Sequence, residues 1–360
     1  MTRSLDLGGS ERQVAEVAMS LDQRRFCPAV GCFDSRGIRA DDLRRAGIAV
    51  VEFAVRSFKS PQTAIVAWRF MAWLRRHDIA LVHPFDVPTV LFAVPLARMA
   101  RVPTVLSSQR GHPLLFSTVE QRALMVVDRM ADGVVVNSSY VRQAVENDFG
   151  LRPSRIHTCP NGLDPGIFHP PDGARHPAAG DGLVVGVVAA LRPEKSIETL
   201  IEAFAGLRET SHSLVIVGDG PCKDALVALA ARLGVLERTT FTATTIDVAS
   251  WYRRIDVFVL PSVSESFSNS LMEAMASGCV VLASNVGGNP ELVKHGENGM
   301  LFPAGDVAGL TSRLEAVLGD AALRSRLAAA GVRTIEEGYT RQRSAQRFGE
   351  LYEQLLVDGG

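Results

Sequence analysis

The sequence predicts an α/β protein built from two doubly wound domains, each with a parallel sheet. Its 360 residues exceed what one compact core usually holds. Short runs rich in β-branched residues alternate with longer helical patterns along the whole chain. A segment rich in proline and glycine, which starts at Pro160 and reaches Gly182, divides this alternation into two series. Two domains joined by a linker follow from these observations.

The predicted strands fall on both sides of that linker. The first series covers residues 29–33, 48–53, 79–83, 103–107, 134–137 and 156–159. The second series covers residues 183–189, 214–218, 239–242, 257–260, 280–283 and 300–302. We therefore predict an N-terminal domain over 1–163, a C-terminal domain over 164–340 and a last helix over 341–360 that packs back on the N-terminal domain. Ligands of such sheets bind beyond the carboxyl ends of the strands.

The start of the chain departs from the usual doubly wound pattern, in which a buried strand leads into the first glycine-rich loop. Here the pair Gly8-Gly9 follows residues 1–6, which are too few and too polar for a buried central strand. The first strand is therefore predicted to be missing. Two explanations are open: a true start further upstream, which we favour, or a variant domain without that strand.

Composition and charge exclude several classes of protein. Hydrophobic residues make up 47% and charged residues 21%, which is typical of a folded globular protein. A net charge of -1 gives no argument for a nucleic-acid partner. The five cysteines form no Cys-x-x-Cys pair, so neither a zinc site nor a disulfide framework is indicated. No secretion signal or membrane-spanning stretch is evident, and we expect a cytoplasmic location.

The segment 258–278 carries the strongest chemical signal. A buried strand ends at Pro261, a polar loop follows, and a helix begins near Ser268 or Asn269. The free N–H groups at such a helix start suit a diphosphate. Glu265 in the loop and Glu273 on the helix can each accept hydrogen bonds from sugar or ribose hydroxyls. On spacing alone, a surface glutamate and helix-capping serines are an equally good interpretation.

A second candidate segment follows the strand 183–189. Arg192 and Lys195 stand in the phrase Leu-Arg-Pro-Glu-Lys-Ser, at the carboxyl end of that strand. Two cations at such a place can neutralise the charge that grows on a diphosphate leaving group. The alternative is a solvated loop with an ordinary pair of surface charges.

Together these segments resemble glycosyltransferase family 4, the group 1 family of retaining glycosyltransferases with the GT-B fold. The resemblance rests on the Glu-x7-Glu spacing from Glu265 to Glu273 and on the phrase that contains Arg192 and Lys195. It also rests on Glu-Ala-Met-Ala-Ser-Gly at 273–278 and Val-Gly-Gly-Asn-Pro-Glu-Leu-Val at 286–293. It covers essentially the whole chain from Leu7 onward. It implies two Rossmann-like domains that face a central cleft.

The resemblance also implies roles for individual residues. Glu265 would contact the hydroxyls of the donor sugar, and Glu273 would bind the ribose. Arg192 and Lys195 would stabilise the departing diphosphate, so the expected catalytic residues are Arg192, Lys195 and Glu265. The Gly8-Gly9 turn resembles the glycine-rich loop of the family. The expected donor-binding set is Gly8, Gly9, Arg192, Lys195, Gly218, Glu265, Phe267, Ser268, Asn269, Ser270, Leu271 and Glu273.

The N-terminal domain offers further candidate contacts. Many family members carry a histidine in a Thr-x-His phrase after one strand of this domain, and Gln109 stands at that position here. Arg110 and His112 follow it closely and could also face the cleft. His83 ends another strand, where a structural histidine is as good an interpretation as a catalytic contact. The catalytic group on this side is therefore unassigned.

The activity implied is retaining transfer of a hexosyl unit from a nucleoside diphosphate sugar to an acceptor hydroxyl. We expect a UDP-sugar rather than a GDP-sugar as donor, and a glycan or a lipid-linked molecule as acceptor. The implied setting is bacterial polysaccharide or glycolipid biosynthesis at the inner face of the membrane. No cofactor is expected, and the lack of an Asp-x-Asp motif disfavours a metal-dependent transferase.

Two alternatives stay open at this point. One is another GT-B enzyme, such as a sugar-nucleotide epimerase or a phosphorylase. The other is a non-catalytic partner that keeps the donor cleft, which the missing strand and Gln109 suggest. Peripheral membrane contact is a related question, because residues 68–76 mix aromatic and basic side chains. For that helix, packing on its own sheet is the favoured interpretation.

Overall fold

The computed structural model describes residues 1–6, 8–112, 116–173, 182–245 and 247–358. The chain divides into two compact units. Unit 1 comprises Met1–Gly162 together with Arg341–Gly360, and unit 2 comprises Leu163–Thr340. The division lies one residue before the predicted boundary, and the last helix belongs to the N-terminal unit.

Unit 1 alternates strands and helices. Its strands are β1 (Ala29–Cys32), β2 (Ala49–Glu52), β3 (Leu81–Val82), β4 (Thr104–Gln109), β5 (Gly133–Val136) and β6 (Ile156–Thr158). Its helices are α1 (Gly9–Ser20), α2 (Ile38–Arg45), α3 (Gln62–Arg76), α4 (Val87–Met99), α5 (Thr118–Met130), α6 (Ser139–Phe149) and α14 (Arg341–Asp358). The strands pair in parallel in the orders β1-β2 and β3-β4-β5-β6.

Residues 1–3 lie between these two groups of strands. Thr2 bridges Cys32 in parallel, and the Thr2 N–H donates to the Gly31 carbonyl at 3.1 Å. On the other side, the Phe85 N–H donates to the Met1 carbonyl at 2.8 Å. The prediction of a missing first strand is thus wrong in part, because residues 1–3 form a short β-bridge at the position where that strand would lie. Thr2 is polar and yet fully buried. Its burial is tolerated because its hydroxyl donates to the Asp86 carboxylate at 2.9 Å.

The last helix, α14, packs against α1 within unit 1. Phe348 of α14 stacks on Phe85 with ring centroids 5.7 Å apart. The Ser344 hydroxyl donates to the Pro160 carbonyl at 3.0 Å, which fixes the start of the helix. These contacts agree with the predicted return of the chain to the N-terminal unit.

Helix α3 contains the aromatic and basic residues singled out in the sequence. Val66, Phe70 and Leu74, spaced four apart, are buried in the core beneath it. Trp68 points to solvent and is 67% exposed. One face therefore packs on the unit, as favoured above, and the other is open. Among the described helices, none has both the length and the apolar content to cross a bilayer.

Unit 2 also alternates strands and helices. Its strands are β7 (Val184–Val188), β8 (Ser213–Val217), β9 (Thr239–Thr242), β10 (Val257–Leu260), β11 (Val280–Ser284) and β12 (Met300–Phe302). Its helices are α7 (Ile197–Ala205), α8 (Lys223–Arg232), α9 (Val248–Tyr252), α10 (Asn269–Ala276), α11 (Asn289–Leu292), α12 (Val307–Gly319) and α13 (Ala321–Gly338). Every predicted strand of both series matches a described strand, with ends shifted by a residue or two.

The sheet of unit 2 is parallel, with the order β12-β11-β10-β7-β8-β9. Successive strands therefore proceed outward from β7 in one direction and from β10 in the other. The reversal between β7 and β10 is the topological switch point, where open α/β sheets bind their ligands. Buried aliphatic side chains cover both faces of the sheet. This order places the loops after β7 and β10 side by side.

Candidate active site

A lysine and a carboxylate meet at the switch point of unit 2. Lys195, in the loop after β7, donates from Nζ to Oε1 of Glu265 at 2.6 Å. The Ser262 hydroxyl donates to the same oxygen at 2.8 Å. The two loops are also joined through their backbones, because the Val263 N–H donates to the Glu194 carbonyl at 2.9 Å. The sheet order thus brings together two of the predicted catalytic residues.

The two predicted cations differ in their surroundings. The Glu265 side chain is only 9% exposed and that of Lys195 is 22% exposed, so their charge-assisted hydrogen bond is largely shielded from water. Arg192 is exposed, and within the described residues its side chain makes no hydrogen bond or ion pair. Arg192 is therefore free to meet an anionic ligand, whereas Lys195 shares its charge with Glu265.

Helix α10 begins in the loop that carries Glu265. Ser268 caps it, its hydroxyl oxygen accepting from the Leu271 N–H at 3.3 Å and lying 3.1 Å from the Ser270 hydroxyl. The N-terminus of this helix, at Asn269, carries a partial positive charge. Glu273 on α10 is only 6% exposed, so its interpretation as a surface residue is wrong.

Phe267 sits just before the cap of α10. Its ring is buried and lies 5.6 Å from the ring of Tyr339. A ligand at the helix start can therefore meet the backbone of Phe267 but not its side chain. This geometry is compatible with the predicted place of Phe267 in the donor-binding set.

Two glycines in the loop after β11 hold the Glu265 loop in place. Gly287 has a φ of +55°, and a Cβ there would lie 1.6 Å from the Glu265 carbonyl oxygen. The Gly288 N–H donates to that same carbonyl at 3.1 Å, and a Cβ on Gly288 would lie 2.1 Å from the Ser266 carbonyl. Sequence reasoning gave these glycines no role, although their pairing directly after a strand was visible.

Behind the Glu265 loop lies a chain of buried hydrogen bonds. The Ser284 hydroxyl donates to the Ser262 carbonyl at 2.5 Å, and the Asn289 amide donates to the Ser284 carbonyl at 3.0 Å. Ser262 in turn donates to Glu265. The carboxylate is therefore positioned by β11 and α11 as well as by its own loop.

The glycines of the turn after β8 hold the Lys195 loop from the other side. Gly218 has a φ of +149°, and a Cβ there would lie 1.9 Å from the Ala189 carbonyl oxygen. A Cβ on Gly220 would lie 2.3 Å from the Leu191 carbonyl oxygen. The predicted donor-site residue Gly218 thus has a clear packing role beside the loop that carries Lys195.

In unit 1, the predicted glycine-rich turn begins helix α1. Gly8 is its N-cap and Gly9 its first residue. The Glu11 carboxylate folds over this turn, since a Cβ on Gly8 would lie 2.0 Å from Glu11 Oε2. The Ser4 hydroxyl donates to the other oxygen of Glu11 at 3.1 Å. The first turn of α1 is therefore covered by a carboxylate of the protein itself.

His83 is held on both sides. Its Nδ1 lies 2.8 Å from the Tyr352 hydroxyl, and its Nε2 lies 2.7 Å from the Ser108 hydroxyl. Burial keeps the pKa of His83 well below its usual value, so the ring is neutral at pH 7. Of the two interpretations left open above, this geometry favours the structural one.

Gln109 is fully buried and held by a carboxylate that sequence reasoning missed. Its amide donates to Asp128 at 2.9 Å, and the Ser107 hydroxyl donates to the other oxygen of Asp128 at 2.5 Å. Burial raises the pKa of Asp128 to about 6. The Gln109 carbonyl oxygen is buried without a hydrogen-bond partner among the described residues. No sequence signal marks Asp128, which lies within the ordinary pattern of α5.

The other two candidates of unit 1 lie near aromatic rings. The Arg110 guanidinium lies over the ring of Phe85, 5.2 Å from its centroid, and donates to the side chain of Asn161. The ring of His112 is 5.1 Å from that of Tyr140. The structure therefore separates Gln109, which faces α5, from Arg110, which contacts Phe85.

Comparisons with known proteins agree with this fold. Residues 172–334 match the model for group 1 glycosyl transferases, and residues 7–166 match that for glycosyltransferase family 4. One relative is the GDP-mannose-dependent alpha-(1-6)-phosphatidylinositol monomannoside mannosyltransferase of Mycobacterium tuberculosis. The chain is 30% identical to it over 310 residues, and the match covers 81% of this chain and 80% of that protein. It is 31% identical over 209 residues to the lipopolysaccharide core biosynthesis mannosyltransferase LpcC of Rhizobium leguminosarum, covering 55% of this chain and 59% of LpcC.

Solved structures show the same architecture. The Anabaena protein HepE, in complex with UDP, has a TM-score of 0.85 at 22% identity and 98% coverage of both chains. A glycosyltransferase from Rickettsia africae has a TM-score of 0.83 at 16% identity, covering 99% of this chain and 97% of that one. The fold and the family matches define a GT-B glycosyltransferase. The chain belongs to the group 1, family 4 glycosyltransferases.

Proposed function

We propose that this glycosyltransferase moves a hexosyl unit from a nucleoside diphosphate sugar to an acceptor hydroxyl, with retention at the anomeric carbon and without a metal ion. The observation that carries the proposal is the Lys195–Glu265 contact at the switch point of unit 2. A cation and a buried carboxylate in one place suit a ligand that is anionic at one end and rich in hydroxyls at the other.

The contacts of these residues support a division of labour. Arg192, Lys195 and the N-terminus of α10 supply positive charge for the diphosphate, and this charge stabilises the leaving group as the glycosidic bond breaks. Both hydrogen bonds to Glu265 go to Oε1. Its Oε2 accepts no hydrogen bond from the described residues, so it can accept one from a sugar hydroxyl.

The nucleotide of the donor is a further part of the proposal. The mycobacterial relative is named for GDP-mannose, whereas HepE was solved with UDP. We retain a UDP-sugar as the expected donor, with GDP-sugars as the direct competitor. Buried Glu273, on the helix that the diphosphate would face, is the residue we assign to the ribose.

Nucleotide binding can be measured by thermal unfolding with UDP, GDP and ADP. A nucleotide at a hundred times its Kd should add about 2.7 kcal/mol of stability, which raises Tm by a few degrees. We expect the shift with UDP, its persistence in EDTA and its loss in Glu273→Gln. The control Glu315→Gln changes a partly exposed glutamate of unit 2 that pairs with Arg208. A folded sample without any nucleotide shift, or a full shift in Glu273→Gln, would contradict the assignment.

We also propose that the enzyme acts on a lipid-linked acceptor at the inner face of the membrane and contacts the bilayer through unit 1. Helices α3, α4 and α5 pack side by side, and their solvent face mixes apolar and arginine side chains. Such a mixture suits a surface that lies in the headgroup region of an anionic membrane. The residues of this outer helical face that concern us are Ile65, Trp68, Arg69 and Arg76 on α3 and Val119, Arg122, Val126 and Arg129 on α5.

Co-sedimentation with phosphatidylglycerol-containing vesicles tests this surface. The double variant Trp68→Gln/Val126→Gln removes two apolar side chains that are 67% and 60% exposed. We expect this variant to bind the vesicles about tenfold more weakly than the unmodified chain, because neither glutamine side chain would insert into the apolar part of the bilayer. Val263→Gln, at a site 51% exposed in unit 2, should bind normally. Equal sedimentation of all three proteins would exclude this face as the membrane contact.

A further inference from the structure

Arg110 is a partly buried cation with an unused hydrogen-bond donor. Its Nη2 donates to the side-chain oxygen of Asn161, and its guanidinium lies over the ring of Phe85. Its Nη1 is buried and has no hydrogen-bond partner among the described residues, and no ion pair there includes Arg110. A cation removed from water without a counter-charge is costly. Burial accordingly lowers the pKa of Arg110 to about 10.

The side chains that face Arg110 do not neutralise it. Burial raises the pKa of the Cys159 thiol to about 11 and that of the Tyr352 hydroxyl above its usual value. The third group, His83, is neutral because burial lowers its pKa. All three are uncharged at pH 7, and the positive charge of Arg110 is left for something outside the described protein groups.

Arg110 lies at the edge of the sheet where ligands of open α/β folds bind. Arg110 directly follows β4, Asn137 directly follows β5, and Asn161 comes shortly after β6. These are the carboxyl ends of neighbouring parallel strands, where open α/β sheets bind ligands. Asn137 donates to the Arg110 carbonyl at 3.4 Å, and its own side-chain oxygen is buried without a partner among the described residues. A second unused polar atom thus belongs to a residue that contacts Arg110.

We propose that Arg110 forms an oxyanion site in unit 1 that binds a phosphate or carboxylate group of the acceptor substrate. A guanidinium fixed by an amide and an aromatic ring presents its remaining N–H groups in the planar geometry that oxyanions prefer. The donor diphosphate is assigned to Arg192 and Lys195 in unit 2, so the acceptor is the remaining source of an oxyanion. This inference rests on the proposed transferase function, and it narrows the acceptor to an anionic molecule.

Thermal unfolding with inorganic phosphate, with and without saturating UDP and at constant ionic strength in KCl, tests the site. In the presence of UDP, phosphate should raise the Tm of the unmodified chain in a saturable way. Arg110→Gln should weaken the apparent phosphate affinity by about tenfold or more, because a charge-assisted hydrogen bond is lost. Arg110→Lys, which keeps the charge, should retain part of the effect.

A control variant, and the stability of Arg110→Gln without phosphate, show whether the phosphate effect depends on Arg110 itself. Arg152→Gln removes an exposed arginine of the same unit and should leave the phosphate shift unchanged. Without phosphate, the Tm of Arg110→Gln should be no lower than that of the unmodified chain, because the neutral amide removes a partly buried charge that has no counter-charge. Equal phosphate shifts in the Arg110→Gln variant and the unmodified chain would overturn the site.

A phosphate shift that disappears once UDP is bound would overturn the assignment to the acceptor, since the oxyanion would then belong to the nucleotide. The UDP shift measured alone reports on unit 2 and is independent of Arg110. A missing UDP shift with an intact, Arg110-dependent phosphate shift would therefore reject the donor proposal and leave the oxyanion site in place.

Discussion

Lys195→Gln is expected to lower kcat/KM by about a hundred- to a thousandfold, the range typical for loss of one group that stabilises a developing charge. The substitution removes positive charge from the diphosphate position. It also leaves Glu265 without its cationic partner, and that carboxylate would then repel the phosphates. Because Glu265 is largely shielded from water, the variant should also lose about 1.5–3 kcal/mol of stability. The change in kcat/KM can be measured with the donor that gives the highest turnover in the unmodified enzyme, and the change in stability by thermal unfolding.

A matched control separates this effect from the loss of any lysine. Lys223→Gln, in α8 of the same unit, breaks a more exposed pair with Asp219 at 2.8 Å and should change activity and Tm little. The double variant Lys195→Gln/Glu265→Gln should regain stability relative to the sum of the single changes, but not activity. Near-normal turnover in Lys195→Gln, or additive losses of stability in the cycle, would show that the pair is an incidental contact.

The framework of both units could be predicted from the sequence. Runs of valine, isoleucine and leucine bounded by glycine, proline and polar residues placed every strand, because these residues suit the fully buried strands of a parallel sheet. Residues 1–3 were harder to interpret, since Thr2 is polar. Its burial depends on the Asp86 carboxylate, more than 80 residues away, and no local pattern reports such a partner.

The site was predicted as separate residues but not as a set of contacts. Arg192, Lys195 and Glu265 stood out by type and position, whereas the pairing of Lys195 with Glu265 depends on the reversal of strand order between β7 and β10. Periodicity does not encode that reversal. Asp128, which fixes Gln109, was missed for the same reason: the two are neighbours only because the tertiary structure brings the last turn of α5 beside the end of β4.

Gly287→Ala is the substitution we expect to damage the donor site most without touching a ligand-binding side chain. A Cβ at this position would lie 1.6 Å from the Glu265 carbonyl oxygen, and the φ of +55° is unfavourable for alanine. The strain of the backbone alone costs about 1–2 kcal/mol. The overlap adds to it, because one of the two loops must move. We expect a loss of more than about 3 kcal/mol in stability and loss of the UDP-induced thermal shift.

Gly305→Ala is the control for the cost of the left-handed backbone conformation alone. Gly305 has a φ of +75°, similar to that of Gly287, but no atom lies within 4 Å of a Cβ built there. The Gly305→Ala variant should therefore lose only about 1–2 kcal/mol of stability, which is the cost of an alanine in the left-handed region. It should bind UDP normally. If the two variants unfold alike and both bind UDP, the contact between Gly287 and the Glu265 loop has no part in forming the site. A loss confined to Gly287→Ala would show that the backbone of this glycine sets the position of the Glu265 carboxylate.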